Sequence, residues 1–198
     1  MVAGRGGMQP DGDVLVCSCC GARQPFHRPP LLVIAAPAGA GKSTIVQRLA
    51  GTIPGLVVLD ADTFHHDLSA VVEQRHDYRG FWDALFRFAH AIAQNGLVVC
   101  LVGIALPEQI DVPSTALFSS VELAVLVLDD DAEVERRLIE RPGGQDAAAG
   151  VGLFQHIDRR LVALAASGAA HRIDATASRD DVEAATRCWI VGVLENIS

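Results

Sequence analysis

The residue types best suited to chemistry in this 198-residue chain lie together in one stretch, LLVIAAPAGAGKST, at Leu31–Thr44. An apolar run is followed there by small residues, one lysine and two hydroxyl side chains. Glycines allow consecutive backbone N–H groups to point into one cradle, and a helix that begins just after them adds the positive end of its dipole. This pattern is typical of a P-loop, which binds the phosphates of a nucleotide.

The loop and the first helical turn supply the expected phosphate-binding residues. We expect Lys42 to reach the β- and γ-phosphates and to act in catalysis, and the Ser43 hydroxyl to ligate Mg²⁺. Ala36 stands at the first glycine of the G-x-x-x-x-G-K-S/T pattern, a replacement that looser forms of the motif accept. The predicted nucleotide-binding set is Pro37, Ala38, Gly39, Ala40, Gly41, Lys42, Ser43 and Thr44.

A pair of carboxylates follows the second apolar segment, Leu56–Leu59. Residues two apart on a strand share a face, so Asp60 and Asp62 are expected to point toward the same cleft. We expect Asp62 to contact the acceptor and take the proton from its hydroxyl, and Asp60 to bind Mg²⁺ or its water. The alternative for one of the two is a cap on the following helix.

Three further residues are candidates for contacts with a substrate. The Arg79 guanidinium could clamp an acceptor, with a surface ion pair as the alternative. Gly103 lies near the end of the core strand Leu97–Leu106, where the missing side chain would let an acceptor approach the backbone. Arg141 precedes the sequence PGGQDAAAG, and we expect a mobile lid over about 141–150 that brings this arginine to the transferring phosphoryl group.

Three consecutive acids follow another apolar segment, Val121–Leu128. Such an arrangement is also found in a Walker B strand, and Asp129 as a metal ligand would favour a motor-type ATPase. We prefer the interpretation that the acids cap the helix Ala132–Glu140, since negative charge at a helix start complements the helix dipole.

The N-terminal region contains a compact group of cysteines. Cys17 and Cys20 have C-x-x-C spacing and are candidate zinc ligands, although a structural zinc site needs four. Cys19 and His27 could complete it, or two half-sites could meet across a homodimer; the alternative is a reduced cysteine hairpin. We expect residues 1–13 to be poorly ordered, and we divide the chain into a flexible tail with a cysteine-rich hairpin over 1–30 and an α/β domain over 31–198.

Composition narrows the class of protein. Half of the residues are hydrophobic and a fifth are charged, which is typical of a folded domain. The formal net charge of −8 argues against a non-specific nucleic-acid binder. No apolar run approaches the roughly 20 residues of a membrane span, and the N-terminus lacks the apolar core of a signal peptide. Five cysteines, an odd number, fit a reducing compartment, so we expect a cytoplasmic protein.

Apolar strands alternate with amphipathic helices along the chain, and the phosphate-binding loop follows the first strand. This order predicts a three-layer α/β fold, a doubly wound parallel sheet covered on both faces.

Several stretches together resemble the small P-loop kinases of the nucleoside monophosphate, shikimate and gluconate kinase type. They are CSCCGARQPFHRPPLLVIAAPAGAGKST, LDAD, IAQNGLVVCLVGIALPEQI, LAVLVLDDDAEVERRLIERP and IDAT. More narrowly, the chain resembles actinobacterial proteins described as nucleoside kinases or AAA-family ATPases, which carry a C-x-x-C-G start. It implies a five-stranded sheet in the order 2-3-1-4-5, ATP with Mg²⁺ as phosphate donor, a lid arginine at Arg141 and an acid pair at Asp60 and Asp62.

The function predicted from the sequence is therefore ATP-dependent phosphorylation of a hydroxyl on a small molecule. A nucleoside or nucleoside-like acceptor is favoured. The sequence LDADTFHHD also resembles a gluconate kinase stretch, so a sugar acid is an alternative. A second alternative is an acceptor-independent ATPase or switch whose cysteines form a partner-binding zinc element, and a third is a non-catalytic nucleotide sensor. GTP as the phosphate donor and assembly of the chain as a homodimer are further alternatives.

Overall fold

The chain forms a small antiparallel sheet followed by a larger parallel sheet with helices. The structure is a computed structural model and describes residues 8–12, 14–65, 78–140 and 150–196. Its strands are β1 Met8–Asp11, β2 Val14–Cys17, β3 Arg23–Pro25, β4 Leu31–Ala35, β5 Leu56–Asp60, β6 Val98–Gly103, β7 Val121–Val127 and β8 His171–Asp174. Its helices are α1 Lys42–Leu49, α2 Ala61–His65, α3 Arg79–Ala93, α4 Pro107–Ile110, a 3₁₀ helix Pro113–Leu117, α5 Asp131–Glu140, α6 Val151–Ala166 and α7 Arg179–Glu195.

The larger sheet has five parallel strands in the order β5-β6-β4-β7-β8. Counted from β4, this is the order 2-3-1-4-5, so the prediction is confirmed. The central strand β4 is fully buried at all five residues, as expected for a parallel strand covered on both faces. Because parallel strands end at the same edge, the P-loop after β4 lies at the edge where β5, β6, β7 and β8 also end.

Helices cover both faces of this sheet, which confirms the three-layer prediction. Alternate residues of β4 enter different cores, because successive side chains of a strand point to opposite faces. Leu31 and Val33 pack with α3 and α6, whereas Leu32 and Ile34 pack with α1, α5 and α7. The amphipathic helix predicted near Phe81 is α3, and its buried face includes Trp82 and Phe86.

The N-terminal strands form a three-stranded antiparallel sheet in the order β1-β2-β3. The predicted poor order up to residue 13 is therefore wrong for Met8–Asp11, which pairs with Val14–Cys17. Residues 1–7 and 13 lie outside the described residues. Cys17 donates its N–H to the Ala22 carbonyl, which closes the cysteine-rich turn between β2 and β3. The division of the chain at residue 30 stays a prediction.

No group of three or more His, Cys, Asp or Glu side chains is placed to hold a metal in the part of the chain that the structure describes. The zinc site at Cys17 and Cys20 therefore remains a prediction. Among the helices that the structure describes, none combines the length and apolar character that crossing a membrane requires.

Candidate active site

A cleft of about 920 Å³ opens at the carboxyl edge of the parallel sheet. The P-loop forms its floor, and residues of α5, α6 and the start of α7 form its walls. Its lining residues are Ala38, Gly39, Ala40, Gly41, Lys42, Ser43, Thr44, Ile45, Asp62, Ile104, Arg136, Arg137, Glu140, Phe154, Ala175, Ala177, Arg179 and Val182. The structure thus brings seven of the eight predicted nucleotide-binding residues together with Asp62, and the eighth, Pro37, is buried behind them.

Two glycines give the P-loop its shape. Gly39 and Gly41 have φ values of 88° and 95°, in the left-handed region that other residues rarely adopt. A Cβ atom at Gly39 would lie 3.2 Å from the Arg137 Cβ, so the loop backbone approaches α5 closely at this point. A Cβ atom at Gly41 would meet nothing within 4 Å. Gly41 is therefore required by backbone conformation, and Gly39 by backbone conformation and packing together.

Ala36 shows why the first glycine of the motif can be replaced. Its side chain is fully buried, and its N–H donates to the Gly103 carbonyl at 3.0 Å, which continues the pairing of β4 with β6. Asp129 is the one non-glycine residue with a positive φ among those that the structure describes. Ala36 therefore has an ordinary backbone conformation, in which an alanine costs nothing relative to glycine.

Lys42 begins α1 and is folded back onto its own loop. Its Nζ donates to the Pro37 carbonyl at 3.1 Å and to the Ala36 carbonyl at 3.5 Å, and it lies 3.9 Å from Asp62 Oδ2. The lysine is only 7% exposed, whereas the Asp62 side chain is 59% exposed. A buried cation can hold an anion, and an accessible carboxylate beside it can accept a proton from a neighbouring group.

The two aspartates, Asp60 at the end of β5 and Asp62 in α2, have different positions. Asp60 Oδ1 accepts the Asp62 N–H at 2.9 Å, so Asp60 caps α2, the alternative foreseen for one of the pair. Asp60 is not among the cleft-lining residues, whereas Asp62 is. Ser43 is exposed in the first turn of α1 and lines the cleft. A hydroxyl and a carboxylate are oxygen ligands of the kind that Mg²⁺ prefers, so Ser43 and Asp62 in the cleft fit that ion, and the role of Asp60 as a ligand stays a prediction.

Helix α5 brings two arginines to the cleft, each bound to acids of its own helix. Arg136 Nη2 donates to Glu133 Oε1 at 2.6 Å and Arg136 also pairs with Glu140, while Arg137 Nε donates to the same oxygen of Glu133. Hydrogen bonds from Arg136 and then Arg137 lower the pKa of Glu133 to about 2. Arg141 and nearly all of the predicted lid lie outside the described residues.

One wall of the cleft was not predicted from the sequence. It follows β8 and contains Ala175, Ala177 and Arg179, and the Arg179 side chain forms no hydrogen bond or ion pair within the described ranges. The position of this segment in the chain could have predicted the wall. Ligands of open α/β sheets bind beyond the carboxyl ends of the strands, and this segment follows the last such end.

The structure corrects the prediction for Gly103. A Cβ atom there would lie 2.8 Å from the Ala61 Cβ and 3.2 Å from a ring carbon of Trp82, so these side chains occupy the room that we expected for an acceptor. Arg79 likewise does not line the cleft. Its Nη1 donates to the Glu108 carbonyl at 2.8 Å. Gly103 therefore meets the P-loop through its carbonyl, which accepts the Ala36 N–H, and not through an opening for an acceptor.

The acids after β7 serve the structure of the chain, as we preferred. Asp130 Oδ1 accepts the Ala132 N–H at 2.8 Å, which confirms a cap on α5. Asp129 pairs with Arg172 at 2.9 Å and is not a lining residue. Buried Asp158 in α6 accepts the backbone N–H groups of Leu128 and Asp129, both at 2.9 Å. These bonds fix the strand end beside the cleft.

No known family model and no curated protein sequence matches this chain. Solved structures do resemble it. A sugar kinase from Janibacter sp. HTCC2649 has a TM-score of 0.62 at 18% identity, over 83% of this chain and 95% of that one. A gluconokinase from Sinorhizobium meliloti 1021 has a TM-score of 0.58 at 13% identity, over 86% and 97%. At these identities the similarity establishes the fold, which is the P-loop kinase fold.

Proposed function

We propose that this protein is an ATP-dependent phosphotransferase that acts on a hydroxyl of a small molecule, with a nucleoside or nucleoside-like compound as the favoured acceptor. The observation that carries the proposal is the placement of Lys42 Nζ 3.9 Å from Asp62 Oδ2 at the floor of one cleft. A phosphate-binding cation and an accessible carboxylate at this separation can serve the donor and the acceptor of one transfer.

In this proposal each residue has a separate task. The P-loop amides and Lys42 hold and orient the phosphates, so that positioning and charge stabilisation supply most of the rate. Ser43 and Asp60 would hold Mg²⁺, which when bound offsets the negative charge of the phosphates. Asp62 accepts the proton of the acceptor hydroxyl. Arg141 would cover the transferring group, as the resemblance to small kinases implies.

The test is ADP release from Mg²⁺-ATP with and without a panel of nucleosides, nucleotides, neutral polyols and sugar acids. Stimulation by one class of acceptor, with a phosphorylated product found by mass spectrometry, would support the proposal and identify the acceptor. Turnover that is indifferent to every acceptor would contradict it and favour an ATPase or switch. A parallel series with GTP would identify the preferred donor.

Two further expectations belong to this proposal. We place the reaction in the cytoplasm, where ATP is available and cysteines stay reduced.

We also keep Cys17 and Cys20 as a zinc half-site that a second copy of the chain would complete. Metal analysis of the purified protein, together with its mass in solution with and without chelator, tests that half-site. A metal-free monomer would contradict it.

A further inference from the structure

Two neighbouring arginines of α5 use their donor groups differently. Arg136 donates through all three of its nitrogens: Nε and Nη2 bond to Glu133 at 2.7 and 2.6 Å, and Nη1 bonds to Glu140. Arg137 donates through Nε alone, to Glu133 Oε1. Its Nη1 and Nη2 form no hydrogen bond with any residue that the structure describes. Arg137 therefore keeps the terminal edge of its guanidinium available for a ligand.

Arg137 lies directly against the P-loop. A Cβ atom at Gly39 would be 3.2 Å from the Arg137 Cβ and 3.7 Å from the Arg137 carbonyl carbon, and both residues line the cleft. Hydrogen bonds from Thr176 lower the pKa of the Asp174 carboxyl group at the end of β8, and the charges of Arg172 and Arg137 lower it further. The Arg137 side chain is therefore at the carboxyl edge of the parallel sheet, beside the phosphate-binding loop.

Glu133 holds this arginine without lining the cleft itself. The Arg137 side chain is 24% exposed, compared with 52% for Arg136. A guanidinium that is fixed at Nε and mostly shielded loses little conformational freedom when its terminal nitrogens bind an anion, because its orientation is already set. Arg136 is more exposed and is bonded to an acid at each nitrogen, so it lacks this arrangement.

We propose that Arg137 binds the phosphate chain of a nucleotide held in the P-loop, through the Nη1 and Nη2 edge of its guanidinium. The inference rests on the proposed function, since it takes a nucleotide to occupy this loop, and it adds a binding residue on α5 to the amides and Lys42. The planar fork of an arginine matches the paired oxygens of a phosphate group. Because Gly39 has no side chain, the loop and α5 approach closely enough for the amides and this guanidinium to contact one ligand.

The experiment measures the binding of inorganic tripolyphosphate and of ADP by calorimetric titration, each with Mg²⁺ present. The proteins are the wild type, Arg137→Gln, Arg137→Lys and Arg136→Gln. Glutamine and lysine both keep the Cβ atom that packs against Gly39. Arg136→Gln is the matched control, because it removes the neighbouring positive charge and the other arginine that bonds to Glu133. Tripolyphosphate has no base or sugar and its binding needs no acceptor, so it reports contact with phosphate alone.

We expect Arg137→Gln to weaken the binding of both ligands about ten-fold or more, because the charge-assisted bonds to phosphate are lost. Arg137→Lys should weaken it by at least about three-fold, since lysine keeps the charge but not the fork. Arg136→Gln should stay within about three-fold of the wild type. Equal losses in the two glutamine variants, wild-type affinity in Arg137→Lys, or a loss for ADP without one for tripolyphosphate would overturn the proposal.

The same titrations separate this proposal from the proposed function. A loss of tripolyphosphate binding that is specific to the Arg137 variants, in a protein that phosphorylates no acceptor, would overturn the proposed transfer and leave the phosphate contact standing. Acceptor-dependent transfer by the wild type, with unchanged tripolyphosphate binding in Arg137→Gln, would do the reverse. A wild type that binds neither tripolyphosphate nor ADP would overturn both.

Discussion

At the scale of single residues, two side chains carry the chemistry that we propose for the cleft. Lys42 is nearly buried and bonded to the carbonyls of its own loop, whereas the nearby Asp62 carboxylate is exposed and capable of contact with an acceptor. In the proposed function, this difference assigns nucleotide binding to Lys42 and phosphate transfer to Asp62. A substitution at Asp62 should therefore affect only the second.

We predict that Asp62→Asn reduces the rate of transfer by at least about 100-fold, because the amide cannot accept the acceptor's proton. ATP affinity should change by less than about three-fold. Equilibrium binding of a fluorescent ATP analogue and product formation under saturating ATP measure the two effects. Equal losses in binding and transfer would contradict the role of Asp62 as the base.

Gly39 offers a second test at this scale. Gly39→Ala places a methyl group 3.2 Å from the Arg137 Cβ at a φ of 88°, so the loop must shift and nucleotide affinity should fall at least about ten-fold. The matched control is Gly152→Ala in α6, where a Cβ would meet nothing within 4 Å. That variant should keep wild-type affinity and unfold at the same or a slightly higher temperature. Similar affinities for the two variants would contradict the packing argument.

At the scale of elements, charged residues form hydrogen bonds within α5 and join α6 to the end of β7. Glu133 receives hydrogen bonds from both arginines of α5, and Asp158 holds the end of β7 from within α6. Both arrangements place an acid where backbone or guanidinium N–H groups converge. We therefore expect the stability of these elements to depend on pH and on side-chain truncation.

The Glu133 contribution to stability should depend on pH. Its pKa in the folded protein is about 2, below the ordinary 4.5, so its stabilising effect is fully present above pH 4.5 and is lost as the pH falls toward 2. The difference in unfolding free energy between wild type and Glu133→Gln should therefore shrink over this window. Urea unfolding at several pH values measures it. Glu135→Gln on the same helix is the control, and a pH-independent difference for Glu133→Gln would contradict the prediction.

Asp158→Ala should lower the free energy of unfolding by about 2 to 3 kcal/mol, because the N–H groups of Leu128 and Asp129 lose their acceptor. Asp158→Asn keeps one acceptor oxygen and should lose less. Burial raises the pKa of the Asp158 carboxyl group, so the uncharged side chain of Asp158→Asn also avoids the cost of a buried charge. Urea unfolding with an unchanged m-value measures both variants. An alanine variant as stable as wild type would show that the bonds contribute nothing.

The elements that were predicted correctly are those with a strong local signal. Five consecutive apolar residues predict β4, and the GKST sequence after it identifies the loop. Contacts between distant residues left no such signal. Arg160 lies 52 residues from Glu108, and Asp158 lies 30 residues from Leu128. Gly103 was misassigned for the same reason, since Trp82 is brought to it only by the packing of α3 on the sheet.

At the scale of the whole molecule, the antiparallel sheet is joined to the kinase fold by the residues that follow β3. Phe26 is 3% exposed and packs against His90, with ring centroids 5.1 Å apart. Gln94 bonds to both the N–H and the carbonyl of His27. The packing on α3 thus begins at Phe26, a few residues before the predicted domain start at residue 31.

Phe26→Ala should therefore lower the free energy of unfolding by about 3 kcal/mol, as expected for truncation of a buried aromatic side chain. Phe88→Ala is the control, since that side chain is 46% exposed, and it should cost less than about 1 kcal/mol. Chemical denaturation measures both. A chain that starts at residue 26 should unfold within a few degrees of the full chain. If this shortened chain were as unstable as Phe26→Ala, β1–β3 would be part of the folding unit.

The bonds that Lys42 makes to Pro37 and Ala36 have a consequence for which nucleotides the loop retains. A ligand that recruits this ammonium group must replace both carbonyl contacts, and a chain of several phosphates could do so while also filling the amide cradle. A monophosphate would gain the amides alone. We therefore expect the loop to prefer nucleotides with a longer phosphate chain, before any contact is made with the base.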